Sequence, residues 1–456
     1  MSHTSSRRRP EGISYQDLLR SDGGVVPDSY LWQGDAGDPG NREVPIARYL
    51  GRDHHELEKQ HLWSRVWQVA CRADRLEHVG DTVVYDIADK SYLLVRHSAG
   101  ENGISSYPNA CLHRGRTLRD GPGRVEELQC AFHGFCWTLS GKLKRIPSAW
   151  DFPHLTPAEW ALPAVRVGSW GGFIFINPDP DCQPLHDFLG ILPTLFERWP
   201  LDHRYTRAHV TKVVRANWKL VQEAFMESYH VVSTHPQLLP GFGDANSQYD
   251  VFGNAARTIS PRGIASPLLA WVPTEQQRLD SALDTREDDP PVVVVPAGGT
   301  ARDVLAQSAR RALLPALGAA VDALSVAELV DSYFVNIFPN SHPWGSYNQI
   351  FYRFRPNVDD HASSLMEVLL LAPFAGERPP AAEEVRLGVE DHWRDAVDVL
   401  GSLARVFDQD EFNLEAVQKG LRASAKRTVT FADYQESKIR HFHSLYGQWV
   451  PGAVTA

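Results

Sequence analysis

Hydrophobic positions are sparse through residues 1–45, which are rich in Gly, Pro, Ser and charge and predict an N-terminal tail or arm. The first periodic stretch is RDHHELEKQHLWSRVWQVAC. There Leu57, His61, Leu62, Trp63, Val66 and Trp67 recur near the helical period and predict a helix. From Asp81 to about Asn177 the pattern changes to short β-rich runs, TVVYDI, SYLLVR and GGFIFINP, punctuated by Gly, Pro and Asn. This predicts a small all-β unit. Helical and strand-like stretches alternate again from about Asp179. Within 241–330, SALDTREDDPPVVVVPAGGT has linker character, and the alanine-rich stretch after it predicts a helix broken at Pro315. The runs SYFVNIF, YNQIFYRFR and SLMEVLLLAPF, joined by short turns, predict antiparallel strands. A helical pattern over about 381–421 and a last helix ending KIRHFHSLYGQWV follow. The organisation expected is an arm over 1–45, a β domain with its leading helix over 46–178, and a larger α+β domain over 179–456. Residues 241–330 read as a lid or insertion in the larger domain.

Composition narrows the class. A chain of 456 residues with 43% hydrophobic and 22% charged residues is expected to form more than one globular domain. The net charge of -10 disfavours nucleic acid or an anionic membrane as partner. No apolar run approaches the length of a membrane span, and MSHTSSRRRPEG lacks the apolar core of a secretory signal, so a cytoplasmic location is expected. Five cysteines, Cys71, Cys111, Cys130, Cys136 and Cys182, are too few and too odd in number for a disulfide framework. Any special cysteines are then expected to bind metal.

The β unit contains CLHRGRTLRDGPGRVEELQCAFHGFCW, in which Cys111-x-His113 and Cys130-x2-His133 are separated by sixteen residues. Zinc fingers group two cysteines and then two histidines. Here each pair mixes one of each, which suits a Rieske 2Fe–2S cluster, with two thiolates on one iron and two imidazoles on the other. Gly115, Gly121, Gly123 and Gly134 permit tight loops around such a group, and Pro108 and Phe132 can shield it. A structural zinc knuckle is the plainer alternative. Cys136 reads as a small buried residue.

A second constellation lies in EAFMESYHVVSTHP, Glu223 to Pro236. Glu227 and His230 are three apart and expected on one helical face. His235 follows one turn later, before a proline. Two histidines so placed, joined by a carboxylate from elsewhere, would form the 2-His-1-carboxylate triad of non-haem iron sites.

Together CLH…CAFH and NWKLVQEAFMESYHVVSTH resemble the catalytic alpha subunits of Rieske non-haem iron oxygenases, the aromatic-ring-hydroxylating family that also includes monooxygenases and demethylases. The resemblance runs from about Val44 to the last helix. It implies an all-β Rieske domain and a catalytic domain with a central antiparallel sheet flanked by helices, of helix-grip type. It implies His230 and His235 as iron ligands in a motif opened by Asn217, and a third ligand in DQDEFNLEAVQKGL. There Asp408, Asp410 and Glu411 compete, and the family's spacing to Glu415, Gln418 and Gly420 points to Asp410. Glu227 stands where many members carry an aspartate that bridges a cluster histidine of the neighbouring subunit to an iron histidine, here His133 and His230. Glutamate is found there in some members acting on quaternary ammonium compounds. Glu223 is expected to be structural.

The resemblance further implies a homotrimer, with or without a separate beta subunit. Electrons would come from NAD(P)H through a ferredoxin or flavin reductase, and oxygen from O2 would enter a hydrophobic, aromatic small molecule. A monooxygenase or demethylase outcome stays open, as does an electron carrier without oxygenase activity. Ala224, Phe225, Val231 and Val232 are expected to line the substrate pocket. Arg114, Arg116, Arg119, Arg124, Lys142, Lys144 and Arg145 make the cluster region locally basic in an acidic chain, which suits docking of an acidic electron donor.

Overall fold

A twisted eight-stranded sheet organises the larger domain. The computed structural model describes residues 14–22, 25–34, 40–100, 102–156, 158–285 and 293–452. The strands lie in the order Gln248–Phe252, Ala255–Ser260, Ser332–Ile337, Ser341–Pro343, Ile350–Asn357, Asp360–Pro373, Arg204–Val214 and Glu384–Leu387. All neighbours are antiparallel except the last pair. Strand alternation splits the side chains between two cores. Tyr352, Phe354, Val368 and Val210 face the helix Leu403–Ala423 through its Phe407 and Leu414. Phe351, Leu369, Tyr333 and Val335 join Trp63, Trp199 and Phe442 on the opposite side.

The smaller unit carries its own core of Leu93, Val95, Tyr107, Leu128, Phe135 and Trp137. It combines a four-stranded sheet (Asp81–Ile87, Lys90–Arg96, Ile104–Pro108, Gly123–Arg124) with a three-stranded one (Leu128–Gln129, Cys136–Trp137, Leu143–Arg145). The all-β reading of this unit and the antiparallel run after residue 330 match these elements.

Several boundaries differ from the pattern-based expectation, each for a tertiary reason. The leading helix gives way before Gln68–Arg72, which becomes a strand beside Phe173–Asn177. Its Glu58 is fully buried and accepts from Trp218 Nε1 (3.0 Å), Tyr446 Oη (2.8 Å) and Lys219 Nζ, all in the larger domain. The described part of the arm also packs onto that domain. Tyr15 donates to Asp331 (2.9 Å), and Tyr30 is buried against Tyr333 with ring centroids 5.1 Å apart. Residues 1–13, read as polar tail, lie outside the described residues.

The 241–330 stretch, expected as a lid or insertion, contributes Gln248–Phe252 and Ala255–Ser260 to the central sheet; its helices Glu275–Ala282, Ala301–Leu317 and Val326–Val330 share a small core. Part of its linker run, residues 286–292, lies outside the described residues. Pro315 does not break the helix, because it sits in the last turn, where it removes a single backbone bond. Residues 384–387, read as helical, form a strand that completes the free edge of Arg204–Val214.

Asp331 is fully buried and takes its charge balance from Arg302 Nη1 at 2.7 Å, which also pairs with Asp22 of the arm. Arg302→Met is expected to lower stability by about 3 kcal/mol, because it strands a buried carboxylate. The urea midpoint checks this: an unchanged midpoint would mean the pair carries no net stability.

Candidate functional site

The helix Trp218–Ala224 starts at Asn217, whose side chain accepts from Lys219 N at 3.0 Å. Asn217 Nδ2 donates to the His361 carbonyl, and its backbone N–H donates to Gln418 Oε1 at 2.8 Å. These bonds make Asn217 a positioning residue that ties the start of this helix to Leu403–Ala423.

The helix does not continue through the histidines, as their spacing suggested. It ends at Ala224, and a new short turn, Val231–Thr234, begins at His230. Between them Met226 O accepts from Thr258 Oγ1 (3.3 Å), Ser228 N donates to Tyr249 Oη (3.1 Å), and Ser228 Oγ meets Ser260 Oγ (2.9 Å). The strands of the supposed lid therefore hold this break open. Glu227 sits in the break rather than on a shared helical face. Its Oε2 accepts from the backbone N–H groups of Tyr229 and His230, and its Oε1 lies 2.7 Å from His230 Nδ1.

His230, His235 and Asp410 converge, with a ligand atom from each within 4.8 Å of the others. Asp410 Oδ1 is 2.8 Å from His235 Nε2 and 3.5 Å from His230 Nε2. The opposite ring nitrogens are already engaged, His230 Nδ1 by Glu227 and His235 Nδ1 by Gln409 Oε1 at 3.1 Å. That leaves both Nε2 atoms facing Asp410, the arrangement a metal-binding imidazole needs. Burial opposes charge on His230, yet Glu227, with Asp410 beyond it, raises its pKa to about 9. Two imidazoles and one carboxylate are a donor set that fits iron.

The three acids in DQDEFNLEAVQKGL separate by helix face. Asp410 shares the buried face with Phe407, Leu414 and Gln418. Asp408 turns away to accept from Trp393 N (2.8 Å) and Arg394 Nε (2.7 Å), and Glu411 pairs with Lys212 at 2.9 Å.

The cysteine–histidine loops are built alike. Cys111 N donates to Arg116 O and Gly115 N to Cys111 O, both at 2.8 Å. Cys130 N donates to Phe135 O (2.8 Å) and Gly134 N to Cys130 O (3.0 Å). Gly115 and Gly134 adopt φ of 77° and 78°, which explains glycine at both positions. Both thiols are buried and unbridged, and burial raises the Cys111 pKa, with Cys130 beside it. The rings of His113 and His133 meet at 4.7 Å. His113 Nδ1 is buried without a hydrogen-bond partner among the described residues, as a metal ligand atom would be. This donor set fits a 2Fe–2S cluster.

Of the pocket candidates, Phe225 packs against Tyr352 (5.0 Å), Phe354 (5.4 Å) and Phe407 (6.0 Å). Ala224 lies beside the same core, Val231 is buried and Val232 half-buried. The sheet wall of Tyr352, Phe354, His342 and Trp344 was missed, because these residues lie more than a hundred positions downstream and no local pattern links them to His230. The alternation in YNQIFYRFR was the available signal. The basic patch is largely neutralised: Arg116 pairs with Asp120, Arg124 with Asp81, and Lys144 and Arg145 with Glu127. Arg114 lies over the exposed ring of Phe132.

Glu223 is structural, as expected. Its carboxyl meets Tyr49 Oη (3.0 Å) and His443 Nε2 (2.8 Å), and burial raises its pKa to about 8. Because its ordinary value is 4.5, the folded chain holds this proton more tightly. Its stabilising effect is full below that value and is lost as pH rises through the folded pKa. Glu223→Gln is therefore expected to flatten the decline in Tm between about pH 5 and about pH 9; a decline as steep as in the parent would remove Glu223 from that role. Asp410→Asn is expected to lower iron content from about three to about two per chain with the cluster's visible absorbance unchanged, whereas Asp408→Asn keeps all three. Full iron in Asp410→Asn would place the third ligand elsewhere.

Comparison with known proteins agrees with this division. Residues 66–156 match the Rieske [2Fe-2S] domain, and residues 196–452, more than half of the chain, match the ring hydroxylating alpha subunit (catalytic domain). The carnitine monooxygenase oxygenase subunit of Escherichia coli K12 is 28% identical over 205 residues, 44% of this chain and 53% of that protein. The chlorobenzene dioxygenase subunit alpha of Cupriavidus sp. PS12 is 29% identical over 198 residues, 41% and 42% of the two chains. The chain thus aligns with about half the length of these curated relatives. Over nearly its whole length it shares a fold with solved structures. These include the quaternary ammonium Rieske monooxygenase CntA with L-carnitine (TM-score 0.63, 15% identity, 94% of this chain and 100% of that one). Naphthalene 1,2-dioxygenase with indole gives a TM-score of 0.62 at 17% identity, covering 90% and 92%. A Rieske domain whose paired loops fit a 2Fe–2S cluster, joined to a domain whose two histidines and one aspartate fit a mononuclear iron, makes this chain a member of the ring-hydroxylating alpha subunit family of Rieske oxygenases.

Proposed function

We propose that this chain is the oxygenase component of a multicomponent Rieske oxygenase that inserts oxygen from O2 into a small organic molecule. The observation that carries this is the convergence of His230, His235 and Asp410 with both histidine Nδ1 atoms already anchored. An Fe(II) ion there supplies O2 activation, and a 2Fe–2S cluster on Cys111, His113, Cys130 and His133 supplies electrons one at a time. The chain's part is placement. Glu227 and Gln409 fix the two imidazoles, and Phe225, Tyr352, Phe354 and Phe407 give an apolar wall that excludes water. That wall supports a hydrophobic substrate with aromatic character. A monooxygenase or demethylase outcome is the second reading, favoured by glutamate at 227 and by similarity to a carnitine monooxygenase.

The cluster loops and the iron site work across subunits in this reading. Among the described residues, His133 makes ring contacts with His113 and Phe132 alone, and its side chain is exposed. Phe132 (55%) and Trp150 (81%) stand out at the same unit, next to Arg114. The surface beside the iron ligands is a groove of mixed charge, with Asp408, Glu411 and Glu415 beside Arg215, Arg394 and Arg405, and the exposed Phe412 at its edge. The exposed apolar tips, Phe132 and Trp150 on one surface and Phe412 on the other, support head-to-tail packing that closes into a trimer, with the partner subunit's His133 meeting Glu227. The electron donor is a ferredoxin or flavin reductase drawing on NAD(P)H, and the setting is the cytoplasm. No described helix is long and apolar enough to cross a membrane.

Substrate-dependent O2 uptake with a surrogate reductase, across aromatic and methylated compounds, is expected to put label from 18O2 into product. Reduction of the cluster without oxygen consumption by any compound would make the chain an electron carrier. Glu227→Gln is expected to retain both metal centres and slow product formation by about 100-fold; normal turnover would remove Glu227 from the bridge. Arg116→Glu with Arg119→Glu is expected to slow reduction by the donor at low salt, and unchanged kinetics would move the docking surface elsewhere.

A further inference from the structure

Beyond the iron ligands, the sheet face that carries Tyr352 and Phe354 holds polar groups that the roles above leave unused. Lys438, in the last helix Ser437–Trp449, is completely buried, and its Nζ lies 4.4 Å from the centroid of the Phe334 ring. Among the described residues that Nζ has no hydrogen-bond partner. Phe334 stacks on Trp344 at 5.1 Å, and Trp344 meets Tyr352 at 6.1 Å. Tyr352 in turn meets Phe407, one turn before Asp410, at 5.9 Å. A continuous aromatic path thus leads from the iron ligands to this ammonium.

The same patch has a surplus of donors. Trp344 Nε1 and Gln222 Nε2 are buried and lack hydrogen-bond partners among the described residues. Gln222 Oε1 faces His342 Nε2 at 3.3 Å, and His342 packs on Phe354 at 5.0 Å. Asn336 Oδ1, two residues along the strand from Phe334, and His342 Nδ1 are also buried and unpartnered among the described residues. Three unused donors against two atoms that can accept leave a surplus that an acceptor-only group satisfies, and a carboxylate is such a group. A neutral hydrocarbon would leave every one of these donors unpaired at a cost of about 1–3 kcal/mol each.

We infer that this buried patch is a carboxylate subsite, in which Lys438 takes the acid group of the substrate while Trp344 and Gln222 complete its hydrogen bonds. The substrate class is then an organic acid whose apolar portion lies along Phe334, Trp344 and Tyr352 toward the iron ligands. This deepens the oxygenase reading and rests on it for the identity of the reacting molecule. Burial holds the free Lys438 ammonium well below the usual lysine range, with Glu227 and Asp250 acting the other way. An incoming carboxylate supplies at close range the counter-charge that burial demands.

The test compares acids with their neutral amides on the holoenzyme: benzoate, phenylacetate and 4-phenylbutyrate against benzamide, phenylacetamide and 4-phenylbutyramide, read by thermal shift and calorimetry. At least one acid is expected to bind at least tenfold more tightly than its amide, and Lys438→Met is expected to abolish the preference. Lys438→Met should leave iron content and the Tm of the ligand-free protein unchanged or raised, since it removes an unpaired buried cation. Equal binding of acids and amides, or an acid preference retained in Lys438→Met, overturns the subsite. A loss of ligand-free Tm or of iron in Lys438→Met would make the lysine structural and overturns it too. Binding needs no turnover, so failure of the oxygenase reading would appear separately, as absent O2 uptake with a bound acid. Uptake driven by neutral hydrocarbons alone would keep that reading and remove this one.

Discussion

The carboxylate of Glu227 is the interaction on which the rest of the iron site depends. It accepts from two successive backbone N–H groups, at 229 and 230, and from the Nδ1 side of His230. The first two bonds start a new helical turn after the old one has ended. The third fixes which nitrogen of His230 faces the metal position. A carboxylate at this point also favours positive charge beside it, in line with a cation-binding position.

Such a break in a helix needs support, because its backbone groups lose their regular partners. That support comes from far away. Tyr249, Thr258 and Ser260 take up the freed groups and hydroxyls around Met226 and Ser228. Behind the preceding helix, Glu58 gathers Trp218, Lys219 and Tyr446 into one buried cluster. The leading segment of the small domain therefore braces the catalytic helix of the large one. Gln418 joins Asn217 to the helix that carries Asp410. Both sides of the metal position are thus set by buried polar bonds that leave little freedom to drift.

The two metal-binding regions differ in how they are built. The cluster loops are local: each is closed by its own backbone bonds and a left-handed glycine, so cysteine and histidine are positioned within a few residues. The iron site is assembled from a broken helix, a distant helix and strands between them in sequence. Local construction suits a group that needs only to be held and reached by a partner. Remote construction also brings Lys438, from the last helix, onto the ring of Phe334 in the sheet.

This difference decides what could be read from the chain alone. Cys111, His113, Cys130 and His133, with Gly115 and Gly134, are legible because their spacing is the geometry. His230 and His235 are legible for the same reason, five residues apart around a short turn. The strands after residue 330 follow from their alternation. Family spacing alone pointed to Asp410 over Asp408 and Glu411; in the structure Asp410 lies with His230 and His235, while Asp408 and Glu411 are drawn off by Arg394 and Lys212. The helical reading of Glu227 with His230 failed because side chains of the central sheet compete for that backbone. The strand at 384–387 and the docking of the arm were invisible because both satisfy edges and buried charges that exist only once the sheet has formed. What is set within one or two turns of chain, the sequence determined; what balances charge and hydrogen bonds between distant elements, only the tertiary structure decided.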